Sequence, residues 1–557
     1  MPMADLPVEL WLEILTYLPR SALQKLIGVN RTLFELALND MYEEVRLISD
    51  DKDMEKTFNQ LKHFNISKRV RHLFIRPSFL PGLDDEPDEN LLRTLPVKLS
   101  ETKANLTNWI KRAVSHPDAI KYSGPYDPSA GVLEMASKSI KSCPNIREIS
   151  LVLHDHTLTP SFLSFLNSLW SSDSIGPCLQ MLSIDTTVVK LPLLLRALIK
   201  RSVSLPNLAT FDINISVSRF QHSAHEWAAA VAALSQFLAT FTKSITAFTF
   251  SCLVRGDIDA LFGALPRLAN LATFEFTSVF NATCFRKSEH FTHFIAKHAS
   301  TLSKLVLKPR ARSVGYNISD HTYSEWVRGT NGAGTAAKVG QTMADLVLPS
   351  LRSLDIGFRD AWNSQREENI RTFLPDLPRV AQNLTSLVLT DITLSPECIF
   401  TLIDMLATRE GGPSIESLAF ACHILFPELF DRLAQDLPRL KGLTIDYRAY
   451  GLCASDKADG MAWYNAEQYK APFMAAMQAR RYPRWGLRYL RLSAPYSCGT
   501  THPNAVVMKI VAETLSADII LGRELSCQCK EYINYQPTTP VPPDLHPDLG
   551  YGLFFRD

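Results

Sequence analysis

Residues 208–213 read LATFDI, and residues 271–276 read LATFEF. In both, apolar side chains occupy the first, fourth and sixth positions. The last three residues alternate with period two, which marks a strand burying one face. The same phrase recurs as IREISL at 146, LQMLSI at 179, ITAFTF at 245, LSKLVL at 302 and LRSLDI at 351. It continues as LTSLVL at 384, IESLAF at 415, LKGLTI at 440 and LRYLRL at 487, with an earlier copy, VRHLFI, at 70. Between copies lie stretches of helical spacing, such as EWAAAVAALSQFLATF at 226–241. Short phrases of the SLPNL, LPRL and LPSL kind announce the next strand.

Most starts between 146 and 440 are 25 to 37 residues apart. Each unit therefore reads as strand, loop, helix, loop, and none can cover its own apolar face without neighbours. The array resembles leucine-rich repeats in a long, irregular form. That resemblance implies an α/β solenoid, parallel strands alternating with helices, over 141–495. The family's asparagine or cysteine shortly after the strand is replaced here by residues such as His154, Thr187, Arg359 and Ile392, so regular curvature is not implied. A doubly wound α/β domain is the rival architecture. Two gaps are longer. The first holds GTNGAGTAAKVGQ within 308–345, which reads as a loop; the second, within 447–484, is aromatic-rich and can hold a helix.

The chain has 557 residues, 46% hydrophobic and 21% charged, too many for one conventional core. Basic and acidic residues number 58 and 57, with no block of like charge, so neither nucleic acid nor an anionic membrane is indicated. MPMADLPVEL is not a secretory signal, and LPLLLRALI at 191–199 is too short to span a bilayer. A cytoplasmic or nuclear protein is expected. The ten cysteines are scattered, only Cys527 and Cys529 lie close together, and most read as buried free thiols.

The N-terminus has a different character. LPVELWLEILTYLPR, residues 6–20, carries a broader apolar arc than one core face needs, with Pro7 suited to a first helical turn. Ser21 and Gln24 stand at capping-box spacing for a second short helix that Gly28 can end. Asn30 is an N-cap for a third, RTLFELALNDMYEEVRL. Three helices this short cannot bury so much apolar surface among themselves, and burying one such side chain is worth about 1.5–3 kcal/mol. The surplus face reads as an interface.

Leu6-Pro7, Glu9, Ile14-Leu15, Leu18-Pro19, Leu23, Leu26 and Val29-Asn30-Arg31 resemble the F-box, most strongly over residues 5–34. YEEVRL, at the end of the third helix, is similar to F-box proteins of fungal type. The F-box docks onto the Skp adaptor of cullin-based ubiquitin ligases. Carried over by position, the resemblance implies adaptor contacts from Leu6, Pro7, Leu10, Ile14, Leu15, Leu18, Leu23 and Leu26. The organisation expected is an F-box over 1–48 and a connecting region over 49–140 with a first repeat strand at 70–75. The repeat array and a C-terminal cap with a proline-rich tail over 496–557 follow.

No phosphate-binding loop, dinucleotide fingerprint, nucleophile elbow or HExxH motif occurs, and His154-Asp155-His156 reads as a solvated turn. No catalysis, metal site or cofactor is expected. Beside the alternating apolar residues stand Asp185, Asp212, Glu275, Asp355 and Asp446, against Lys308 and Arg491. Such a sheet face is mildly acidic and suits a basic target segment; it also reads as an ordinary solvated surface. The expectation is a substrate receptor holding an adaptor at one end and a target protein along the repeats, or else a repeat scaffold without a ligase.

Overall fold

The computed structural model describes residues 7, 10, 11, 13, 14, 31–80, 129–153, 156–172, 175–201, 205–216, 222–285, 288–309, 322–328, 342–358, 371, 373–407, 414–452, 466–493, 503–515 and 520–521. The chain divides into two compact units, residues 1–256 with 260–271, and residues 257–259 with 272–557.

The first unit holds β1 (Glu44–Leu47), β2 (His72–Ile75), β3 (Glu148–Val152), β4 (Met181–Thr186), β5 (Thr210–Ile215) and β6 (Ala247–Cys252). Each is parallel to the next in chain order, and the register steps without slippage, as in Leu182↔Phe211 and Phe211↔Phe248. Sequential order is the topology of a stacked array, whereas a doubly wound sheet reverses direction at a switch point. The doubly wound alternative is thereby set aside.

Burial alternates along β4, β5 and β6, one residue in and the next half-out. The inward side chains meet helices such as Leu191–Lys200 and Ala224–Thr240. Phe211 packs on Phe237 at 4.5 Å and stacks on Phe248 at 6.1 Å between ring centroids. Ala224–Thr240 begins with a complete capping box: the Ser223 hydroxyl accepts from the Glu226 amide, and the Glu226 carboxylate accepts from the Ser223 amide.

The second unit holds β7 (Thr273–Ser278), β8 (Lys304–Pro309), β9 (Ser353–Gly357), β10 (Ser386–Leu394), β11 (Ser417–Leu425), β12 (Gly442–Tyr450), β13 (Tyr489–Ser493) and β14 (Ile520–Leu521). They too pair in parallel and in chain order. β7 still alternates, and from β8 to β12 the alternation gives way to runs of continuous burial. Val306, Asp355, Val388, Ala419 and Thr444, which share one register row, are all at most 8% exposed. Parallel strands covered on both faces read as unbroken apolar runs. LVL and LAF in these copies, against FDI in β5, carry that difference in sequence.

Strands β2 to β13 start two residues into each of the twelve sequence copies. The third N-terminal helix differs from expectation. It ends at Tyr42, and Glu44–Leu47 forms β1, paired with β2. Val45 and Leu47 are buried while Glu44 and Arg46 are exposed, a period-two pattern that Tyr42 and Val45, three apart, disguise as helical spacing. The segment expected to be F-box thus runs into the first strand of the sheet.

Asparagine is not missing from the array; it stands ahead of the strand. Three residues before β3, β5 and β10, the Nδ2 groups of Asn145, Asn207 and Asn383 donate to the carbonyls of Lys68, Pro177 and Pro349 at 2.5–2.8 Å. Asn270, three residues before β7, does the same to Lys243 at 2.7 Å. Ser350 and Ser414 take the equivalent place before β9 and β11, their hydroxyls donating to Ser300 and Leu384. These bonds tie one turn to the preceding one and satisfy carbonyls that the ladder leaves open.

The gap between β8 and β9 is not only a loop. Thr322–Arg328 is helical, and its Trp326 and Tyr323 are buried among Phe280 and Phe291. Trp326 Nε1 donates to Thr292 Oγ1 at 2.8 Å, and the Tyr323 hydroxyl donates to the Gly357 carbonyl at 2.9 Å. GTNGAGTAAKVGQ itself lies outside the described residues. The gap before β13 contains the helix Ala466–Gln478, with Phe473 and Met477 buried.

Candidate docking surfaces

The described part of the first helix begins as its proline predicts. The Pro7 carbonyl accepts from the amides of Leu10 and Trp11, and residues 10, 11, 13 and 14 are helical. Leu10 is 44% exposed and Ile14 38%. One helical turn apart, they present a single apolar face. Pro7 is exposed as well. Leu6, Leu15, Leu18, Leu23 and Leu26 lie outside the described residues, as do the capping residues Ser21, Gln24 and Asn30.

The helix Arg31–Tyr42 has an exposed apolar face of its own. Leu33 and Ala37 are buried, whereas Phe34 and Met41 are 41% and 43% exposed, with Leu38 half-buried between them. Spacings of four and three put Phe34, Leu38 and Met41 on one stripe, separate from the residues facing the core. Of the eight large hydrophobic residues exposed among the described ones, five, Leu10, Ile14, Phe34, Met41 and Phe64, fall between 10 and 64. Strand and helix leucines elsewhere are almost all at or near zero exposure. Phe34, Met41 and Phe64 were not among the expected contacts. Phe34 and Met41 are seven residues apart in RTLFELALNDMY, two helical turns, a spacing visible in the sequence.

The acidic residues of the strand faces are distributed over both units. In the first, Asp185 and Asp212 are half-buried, and the Ser216 hydroxyl donates to Asp185 Oδ1 at 2.6 Å. In the second, Glu275 Oε1 lies 2.8 Å from Lys304 Nζ, so its charge is already answered. Asp446 is half-buried on β12. Asp355 departs from expectation: it is only 8% exposed, with Lys308 Nζ 2.9 Å from its Oδ2. Burial, opposed by Lys308, pushes its carboxyl above the usual aspartate range. Asp355 belongs to the interior of the sheet and is not presented to a partner.

Five of six described cysteines, at 143, 252, 284, 398 and 422, are buried free thiols, and burial pushes Cys143 up to about 12. No group of three or more metal-ligating side chains occurs among the described residues. No helix described is long and apolar enough to cross a membrane.

Set against family models and curated proteins, the sequence matches none. Among solved structures it is similar to a chain of the "Crystal structure of Rad7 and Elc1 complex in yeast", at 13% identity, covering 76% of this chain and 84% of that one. The TM-score is 0.29, too low for the likeness to add to the architecture described above.

Proposed function

We propose that this chain is a non-catalytic substrate receptor of a Skp–cullin–F-box ubiquitin ligase, binding the Skp adaptor through its N-terminal helices and a target protein through its strand–helix array. The observation that carries the reading is the exposure of Leu10 and Ile14, at 44% and 38%, among described residues whose other leucines and isoleucines, Leu452 apart, are buried or half-buried. Two aliphatic side chains at positions where an F-box meets its adaptor remain uncovered by the chain itself. The exposed Phe34 and Met41 enlarge the apolar surface of the same N-terminal segment.

The array supplies the second half of the task. Parallel strands and helices repeated in chain order offer a long surface whose outward positions vary without disturbing the core. In such a receptor the chemistry is proximity: holding target and ubiquitin-conjugating machinery in one assembly raises their effective concentration. No cofactor enters this scheme, and the compartment it implies is cytosol or nucleus.

Co-purification of the full chain with a Skp adaptor tests the reading, with Leu10→Asp plus Ile14→Asp as control. Capture by wild type and loss in the double variant are expected. Failure of wild type to bind, where established F-box chains do, leaves a repeat scaffold without ligase association.

A further inference from the structure

Behind the helix Arg31–Tyr42, at the leading ends of β2 and β3, lies a cleft of about 400 Å³ in the first unit. All of its lining residues are polar. Four are cations, Lys68, Arg69, Arg71 and Arg147, and two are acids, Glu35 and Glu43.

Arg69 is part of the wall. It is 9% exposed and four of its five guanidinium N–H groups are engaged, donating to the Asn65 carbonyl at 2.8 Å, to the Glu35 carbonyl at 3.0 Å, to Asn39 Oδ1 and to the Glu35 carboxylate. Asn145 fixes the Lys68 backbone by donating to its carbonyl. The base of the cleft is therefore preorganised.

The remaining cations are answered less closely. Arg71 and Arg147 are neighbours on adjacent strands: the Arg147 amide donates to the Arg71 carbonyl at 2.7 Å, and the residues that follow, His72 and Glu148, are in register. Adjacent strands are about 4.8 Å apart, so the two like charges start side by side, an unfavourable pairing when nothing lies between them. Glu43 approaches Arg71 only to 3.9 Å. Among the described residues neither Lys68 nor Arg147 has a carboxylate within ion-pairing distance; Lys68 Nζ lies 5.9 Å from the Phe64 ring centroid.

We propose that this cleft is a binding site for a phosphate monoester dianion. The surplus of two positive charges, four cations against two acids, matches a dianion. Paired guanidinium groups on neighbouring strands offer forked donors suited to a tetrahedral oxyanion, and a carboxylate would leave part of that donor set unused. The cleft lacks apolar side chains, so it grips the anionic head and leaves the body of the ligand in solvent. The same chemistry serves a phosphorylated side chain of a partner protein and free phosphate. The site does not depend on adaptor binding.

Calorimetric titration of the full chain at constant ionic strength tests this, with inorganic phosphate, a phosphoserine pentapeptide, and the same peptide carrying serine or glutamate. Saturable binding of phosphate and phosphopeptide is expected, with little for the serine or glutamate forms. Because hydrogen bonds between charged groups are worth about 1.5–3 kcal/mol, Arg71→Ala and Arg147→Ala should each weaken binding about tenfold or more. Arg147→Lys should fall between, and Arg481→Ala, outside the cleft, should change nothing. Both arginines are exposed, so unchanged melting of the variants shows that the fold is intact. Tighter binding of the phosphopeptide than of phosphate assigns the site to a modified partner, and equal binding assigns it to the free ion. Lack of saturable binding, undiminished binding in folded Arg147→Ala, or equal binding of the glutamate peptide overturns the proposal.

Discussion

Lys308 Nζ lies 2.9 Å from Asp355 Oδ2, a diagonal contact between β8 and β9, and the register neighbours of Asp355, Val306 and Val388, are apolar. The pair is asymmetric. Lys308 keeps 29% of its side chain exposed, and Asp355 only 11%.

That asymmetry sets a pH dependence. With its carboxyl raised by burial, the folded protein holds the Asp355 proton more tightly than the unfolded chain does. The cost of ionising it is absent below the ordinary aspartate value, about 3.9, and complete above the raised folded value. Asp355→Asn, compared with wild type by denaturant unfolding, should therefore gain stability as the pH rises through and above the ordinary aspartate value. A difference independent of pH would refute this. Lys308→Met should be the more damaging change at pH 7, since it strands a buried carboxylate.

Exposure of the N-terminal apolar residues predicts their effect on stability. Leu10→Asp and Ile14→Asp should each alter unfolding free energy by less than about 0.5 kcal/mol, as surface substitutions do. Leu33→Asp, at 1% exposure on the neighbouring helix, should cost several times more. Urea titrations of the three variants give the comparison.

Trp326 tests the helix inserted between β8 and β9. Thr292→Val removes the acceptor of the buried indole N–H and should cost about 1–3 kcal/mol, although the side chains are nearly the same size. Trp326→Ala empties the place beside Phe280 and Phe291 and should cost about 3–5 kcal/mol. Shifts in denaturant midpoint measure both.

The amide ladder predicts small, repeated losses. Asn207→Ala and Asn383→Ala each leave one turn carbonyl to water, costing about 0.5–1.5 kcal/mol. Asn383→Asp, whose carboxylate faces the Pro349 carbonyl without a donor, should be no better than alanine. Thermal melts rank the three.

The Cys143 thiol, fully buried and raised to about 12, should react with an alkylating reagent no faster than the chain opens locally. Labelling followed by peptide mass measurement checks this. Rapid modification of Cys143 in the folded protein would contradict its burial.

The repeat was legible because its signal is redundant. Leu182, Phe211 and Phe248 occupy equivalent places in copies that share little else, and each copy registers against the next. β1 was not legible, since a four-residue strand whose residues also fit the preceding helical spacing gives periodicity nothing to decide on. The asparagine ladder is not legible even where SLPNL marks the turn: the bond runs from a side chain to a carbonyl 27 to 77 residues earlier, beyond the reach of a local pattern. The exposure of Leu10 and Ile14 was legible as excess hydrophobicity in residues 6–20. Asp355 was misplaced because period-two reading assumes one wet face, and the covering of the second face is a tertiary event.

The strict chain order of the strands bears on how the molecule comes into being. Because β3 needs only β2 and β4, each addition can be stabilised by the neighbour just synthesised, without waiting for a distant C-terminal partner. Ordering can thus follow translation from the N-terminal strands onward, and a chain interrupted late leaves a shorter stack with one bare end.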